Sequence, residues 1–248
     1  MRTFLTLWKK ELAAYFLSPL AYVVMIFFLL VFGFSFWLLV HALVEGPAGA
    51  SVMQELFGSL FFWIVLLVAA PVLTMRLFTE EKTAGTIETL MTAPVTDAGV
   101  VMAKYLGALG FYVILWIPTA AYGIILHAFS PLTAPLDTGP MLGGYLGALL
   151  VGAFYLSVGV LCSALAAHQI MAAVSCFAAI GVFFFTGFFA FLARSEAARD
   201  AFAYISSVSH MLDFARGVVD TRPVVLYVSL TALMLFAAVR VVESRRWK

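Results

Sequence analysis

The sequence predicts an all-helical protein that crosses a membrane six times, and three observations carry that prediction. The chain of 248 residues is 64% hydrophobic and only 11% charged. An ordinary soluble domain is about half apolar and about a quarter charged, so these polar side chains cannot coat a globule of this size. The mean hydropathy is +1.07. Six segments, 20–43, 57–78, 98–127, 141–165, 170–193 and 223–242, each approach or exceed the roughly 20 mostly apolar residues that a spanning helix needs. Lipid offers the backbone no hydrogen-bond partners, which requires helices or a closed barrel. A barrel would show alternating segments of about ten residues, and these runs do not alternate.

The elements follow in order. In residues 1–18, Phe4, Leu5, Trp8, Leu12, Tyr15 and Phe16 recur at helical spacing, while Thr6, Lys9 and Lys10 face elsewhere. This is the pattern of an amphipathic helix lying in the membrane surface. Ser18-Pro19 turns the chain into the first span, because proline is tolerated at a helix start. Ala48-Gly49-Ala50 imitates a signal-peptide cleavage site. The preceding apolar run is about 24 residues, longer than the roughly 7–15 of a signal peptide, and reads as a retained span.

The second span leads into "TEEKTAGTIETLMTAP", residues 79–94. Gly85 interrupts the helix, Ile87, Leu90 and Met91 fall on one face, and Pro94 ends it. Thr96 or Asp97 can cap the third span. The piece reads either as a short helix that docks into a partner's groove or as a turn folded back on the bilayer. Pro71 and Pro118 should kink their spans. The fourth span carries Gly143, Gly144, Gly147, Ala148 and Gly152, small residues that permit close helix contact within the chain or across a dimer. The fifth is dense in phenylalanine between Gly181 and Phe191, as expected of packing against lipid and neighbouring helices, or of a hydrophobic gate or cargo lining. Residues 194–222 read as two short helices forming an outer cap or re-entrant loop. Ser195 begins the first, Gly217 ends the second, and Pro223 opens the last span.

Orientation follows from lysine and arginine. Ten of the 14 basic residues lie on the side that holds both termini, which is therefore expected to be cytoplasmic, with 79–94 beside them. The other four, Arg194, Arg199, Arg216 and Arg222, share the outer loop with Glu196, Asp200, Asp213 and Asp220. Arg76, Lys104 and Arg240 lie near the inner ends of spans, where they are expected to snorkel to water.

Several function classes are excluded. A net charge of +1 gives no basic stripe for nucleic acid. No G-x-x-x-x-G-K-[ST] phosphate loop and no G-x-S-x-G elbow occurs. The four histidines are scattered, so no metal or other bound cofactor is expected. Cys162 and Cys176 sit in apolar runs and read as small hydrophobes. The span centres lack the ionisable groups that mark ion-coupled carriers, and no internal repeat suggests one. An energy source, if used, is expected on another protein.

The run "PVLTMRLFTEEKTAGTIETL", 71–90, followed by Pro94 and Lys104, resembles the signature of ABC-2-type transporter permeases, and among them the gliding-motility-associated subfamily. "WKKELAAYFLSPLAY" (8–22) and "SHMLDFARGVVDTR" (209–222) resemble the same group. The resemblance spans the chain, 1–248, as one transmembrane domain. It implies a permease that pairs with a second permease, the same or different, and with two copies of a separate ATPase, which would bind the ATP and magnesium. Residues 79–94 would be the cytoplasmic coupling helix between spans two and three, with Arg76, Glu80, Glu81, Lys82, Gly85, Thr86, Glu88 and Leu90 contacting the ATPase or fixing the loop's shape. The N-terminal helix, with Trp8, Lys9, Lys10 and Glu11, would be the interface helix. His210, Asp213, Arg216, Asp220 and Arg222 would belong to the outer loop, where an extracytoplasmic partner would touch. The implied activity is ATP-driven export across a bacterial inner membrane. The alternatives are a scaffold that transmits ATPase strokes to an extracytoplasmic protein without moving a solute, and a self-sufficient channel or carrier.

Overall fold

All regular structure among the described residues, 2–45, 52–85, 96–129, 138–193 and 195–244, is helical in this computed structural model. The helices are α1 (Arg2–Leu17), α2 (Pro19–Glu45), α3 (Val52–Gly58), α4 (Leu60–Thr74), α5 (Thr79–Thr83), α6 (Asp97–Trp116), α7 (Ala120–Phe129), α8 (Thr138–Leu165), α9 (Gln169–Leu192), α10 (Glu196–Ile205), α11 (Ser207–Ala215) and α12 (Thr221–Ser244). Six stretches are long and apolar enough to cross a membrane: Pro19–Ala42, Leu60–Thr83, Asp97–Leu126, Thr138–Leu165, Gln169–Phe189 and Thr221–Ser244. They match the six runs read from the sequence.

Helix starts follow local chemistry. Ser59, Thr96, Ser195 and Ser206 have extended backbones, and each side-chain oxygen accepts from the amide three residues on. These caps satisfy donors that a helix N-terminus leaves open. Gly217 follows α11 with φ of +80°, a conformation that glycine adopts without a Cβ penalty. Pro118 interrupts the third span. Ile117, Thr119, Ala120, Ala121 and Tyr122 bond to carbonyls three residues back, the tighter 3₁₀ pattern. The helix thereby splits into α6 and α7 without losing its run of bonds.

α8 is the post around which the rest is arranged. In its most apolar window 72% of residues are buried, against 22% in α2 and 17% in α12. α12, α11, α9, α4, α6 and α3 all pack on it. Its glycines allow this. A Cβ at Gly144 would lie 2.2 Å from the Phe57 ring, one at Gly152 2.3 Å from the Tyr112 ring, and one at Gly159 2.0 Å from the Thr74 hydroxyl. The small-residue stripe is thus used within the chain, where it lets neighbouring helices approach closely.

Trp116, at the end of α6, gathers a second cluster. Its ring lies 5.0 Å from Phe28, 5.2 Å from Phe32, 5.9 Å from Phe62 and 6.0 Å from Phe57. α2, α3, α4 and α6 therefore meet on aromatic faces and edges. Ile26, Leu30, Phe34 and Trp37 of α2 and Val174, Phe177, Phe185 and Phe188 of α9 are exposed, as a bilayer permits.

Gly152→Ala should overpack α8 and cost about 1–3 kcal/mol, lowering the thermal unfolding midpoint in mild detergent. Gly181→Ala, in a helix where nothing lies within 4 Å of the added carbon, should leave that midpoint unchanged or slightly raised.

Candidate functional site

The second span ends in a break, and three other elements hold that break in place. α4 stops at Thr74, three residues after Pro71, and Met75–Phe78 form turns before α5. The amide of Leu77 donates to the Thr74 carbonyl, not to that of Leu73. The Leu73 carbonyl instead accepts from the Tyr15 hydroxyl of α1 at 2.7 Å. Burial, and then the negative charge of Glu11 and Glu80, hold the Tyr15 phenol far above its ordinary pKa, so it stays a donor. Ser163, in the last turn of α8, accepts from the Phe78 amide at 3.0 Å and donates to the Met75 carbonyl at 3.3 Å. Backbone groups released by the break are therefore satisfied by side chains from distant parts of the chain.

Two lysines complete the arrangement. Lys104 of α6 is only 2% exposed. Its ammonium lies 2.7 Å from Glu81 of α5 and 3.2 Å from Glu11 of α1, and 5.4 Å from the centre of the Phe78 ring. One buried cation thus binds carboxylates from two other helices and faces an aromatic ring. The side chain does not snorkel as expected of a residue near a span's end. Its stem points into the junction of α1, α5 and α6, where two carboxylates take the place of water. Lys82, next in sequence to Glu81, points the other way. It donates to the carbonyls of Ala164 and Ala166 at 2.7 Å and of Ser163 at 3.1 Å. Those are open acceptors at the C-terminus of α8, where the helix dipole also favours a cation.

The remaining predicted residues divide into three groups. Arg76 is half-buried, 3.5 Å from Glu80 and 3.4 Å from the Ser18 hydroxyl, so it does pair with one of the neighbouring carboxylates. Glu80 is exposed, and Gly85 closes α5 with φ of +68°. Thr86, Glu88 and Leu90, with the rest of 86–95, lie outside the described residues. In α1, Trp8 and Glu11 are half-buried and Lys9 and Lys10 exposed. The expected apolar face is divided, because Leu12 and Tyr15 turn inward while Leu5 and Phe16 remain exposed.

In the outer segment, His210 is buried, and its Nδ1 lies 3.1 Å from the Tyr227 hydroxyl of α12. Burial lowers the imidazole pKa, against the opposing pull of Asp213 and Asp220. Arg216 sits 3.7 Å from Asp213, and Asp220 accepts from the Arg222 amide at 3.0 Å. Arg216 and Arg222 are exposed. Among the described residues there is no group of three or more His, Cys, Asp or Glu placed to hold a metal ion.

Six apolar spans, one of them the glycine-lined post, with a charge-locked junction at one end, define a multi-pass membrane protein. The profile of the ABC-2 type transporter family matches residues 2–220, and the chain belongs to that family. Its members are membrane permeases that lack an ATPase domain and pair with separate ABC ATPase subunits. No curated protein matches the chain.

Replacing Lys104 by Met leaves two carboxylates facing one another without their cation, which should destabilise the protein by about 3–5 kcal/mol. Adding Glu11→Gln and Glu81→Gln should recover part of that loss, read as thermal midpoints in detergent. His210 makes the outer segment acid-sensitive. Its folded pKa lies below the unfolded value of about 6.5, so stability is full above that pH and falls as pH drops through the folded value. His210→Gln should flatten the dependence below about pH 6.5.

Proposed function

We propose that this chain is the permease subunit of an ATP-driven exporter of the gliding-motility-associated kind, in a bacterial inner membrane with both termini in the cytoplasm. A separate ATPase grips residues 79–94, and two permease subunits and two ATPases make the working unit. The observation that carries this reading is the clamped junction from which the loop departs. Glu81 is tied to Lys104 of α6, which also holds Glu11 of α1, and Lys82 is tied to α8. A displacement of the loop therefore reaches three helices at once. The excess of basic residues at the same end supports the cytoplasmic orientation.

In this reading the residues around the loop's root have distinct tasks. Glu81, Lys82, Lys104 and Glu11 keep the loop's root rigid, and Tyr15 fixes the interface helix to it. Glu80, exposed at that root, and Glu88 meet the ATPase. ATP binding draws the partner subunits together, the loops follow, and the spans tilt. Such a cycle can run only if the ATPase holds the loop differently in its two states, since an equilibrium shifts only by differential affinity. The second permease packs against exposed apolar faces such as those of α2 and α9.

The test is co-purification of a soluble ABC ATPase with the full-length chain. Glu88→Lys should reduce the recovered ATPase about tenfold or more, equivalent to ~1.4 kcal/mol or more. Unchanged recovery would count against the docking role. A cysteine at Thr89 should react with a membrane-impermeant maleimide only in inverted vesicles, and labelling in intact cells would overturn the orientation. ATP-dependent uptake of a substrate by inverted vesicles separates export from mechanical work on an extracytoplasmic partner.

A further inference from the structure

A cavity of about 270 Å³ opens between α1, the start of α2 and the end of the second span. One part of its wall is charged: Lys10, Arg76 and Lys104 stand there with Glu11, Glu80 and Glu81, of which Glu11 and Glu81 are engaged by Lys104. The rest is aliphatic, including Leu20, Val24 and Val72. It lies where the spans begin and end, because α2 starts at Pro19 and the second span stops at Thr83. That is the headgroup layer of the bilayer, on whichever side this end faces.

The charged part has donors to spare. The Arg76 Nε is buried with no acceptor among the described residues. Its Nη1 makes only long contacts, 3.4 Å to Ser18 and 3.5 Å to Glu80. Both members of the Arg76–Glu80 pair are more than a third exposed, and such a pair contributes little by itself. Lys10 is exposed and makes no ion pair among the described residues. The neighbouring polar groups are already engaged, Tyr15 on Leu73 and Lys104 on Glu11 and Glu81. What the cavity leaves open is the outer end of the Arg76 guanidinium, with the Lys10 ammonium on the same wall, which suits the oxygens of a phosphate. The aliphatic wall suits the hydrocarbon next to it. Exposed Leu17, at the end of α1, extends the apolar surface towards the acyl region.

We infer that this cavity binds the headgroup of a phosphate-bearing lipid, with Arg76 and Lys10 on the phosphate and the first carbons of the chain along Leu20, Val24 and Val72. The inference is independent of export and of which side of the membrane is cytoplasmic. The lipid would occupy the seam between the surface helix and the second span, and so would be held only while α1 stays docked.

Native mass spectrometry of the full chain in detergent tests this, with dioleoylphosphatidylglycerol and dioleoylglycerol as probes that differ in the phosphate-linked headgroup. The wild type should retain one tightly held phosphatidylglycerol and no dioleoylglycerol. Arg76→Gln should weaken retention about tenfold. Val24→Trp, which fills the aliphatic wall and leaves every charge in place, should do the same. Circular dichroism and gel filtration confirm that each variant is folded. Equal retention by wild type and Arg76→Gln, or equal retention of the two probes, would overturn the site. Mass analysis of lipid co-purifying from cells identifies the source. A diacyl phospholipid marks a resident membrane lipid, a polyprenyl phosphate marks a carrier-linked cargo, and a lipid without phosphorus refutes the assignment.

Discussion

The Lys104 ammonium, enclosed by Glu11, Glu81 and the Phe78 ring, is the contact on which the architecture of this end depends. A buried charge tolerates few arrangements. Each carboxylate must come to the lysine, and each brings its helix along. α1, which composition alone would leave floating in the membrane surface, is thereby fixed against α6. Tyr15 can then reach the Leu73 carbonyl, and the break after Pro71 becomes a defined corner. Consecutive residues Glu81 and Lys82 diverge, one to Lys104 of α6 and the other to the end of α8. α5 is only five residues long, too short to be stable alone. It is held from both sides by charge.

The body of the protein relies on a different principle. Between helices in lipid the hydrophobic effect gives little drive, and packing and hydrogen bonds carry association. α8 supplies a surface with few Cβ atoms, and bulky partners fill it: Phe57, Tyr112, Met211 and Phe214. Large residues come from the surrounding helices and small ones from the centre. The Tyr112 hydroxyl, 2.8 Å from the Ala148 carbonyl, adds a polar tie at the point where Gly152 admits its ring.

Much of this was legible in the sequence because the solvent is lipid. Six apolar runs, the serine and threonine caps, Gly217 and the Ser18-Pro19 turn all report local requirements that tertiary contacts do not override. Lys104 shows where that reasoning ends. It lies seven residues after Asp97, roughly 10 Å along the helix, where snorkelling is the usual outcome. Only contact with positions 11 and 81 reveals that it is buried. The resemblance put Lys82 among the residues that contact the ATPase or fix the loop's shape, but its partners are carbonyls some 80 residues away, which no side-chain pattern encodes. α3 was missed because seven residues carry too little periodicity to be told from the span that follows them. The signal that could have marked the clamp was the grouping of Glu80, Glu81 and Lys82 immediately after an apolar run, at a depth where unpaired charge is costly.

Gly85 gives the clamp a mechanical character. Up to Ala84 the chain is braced. At Gly85 the backbone takes a left-handed turn, and among the described residues nothing lies within 4 Å of where a side chain would be. The loop's root is thus held by charge through α5, and the left-handed turn at Gly85 redirects the chain where that bracing stops.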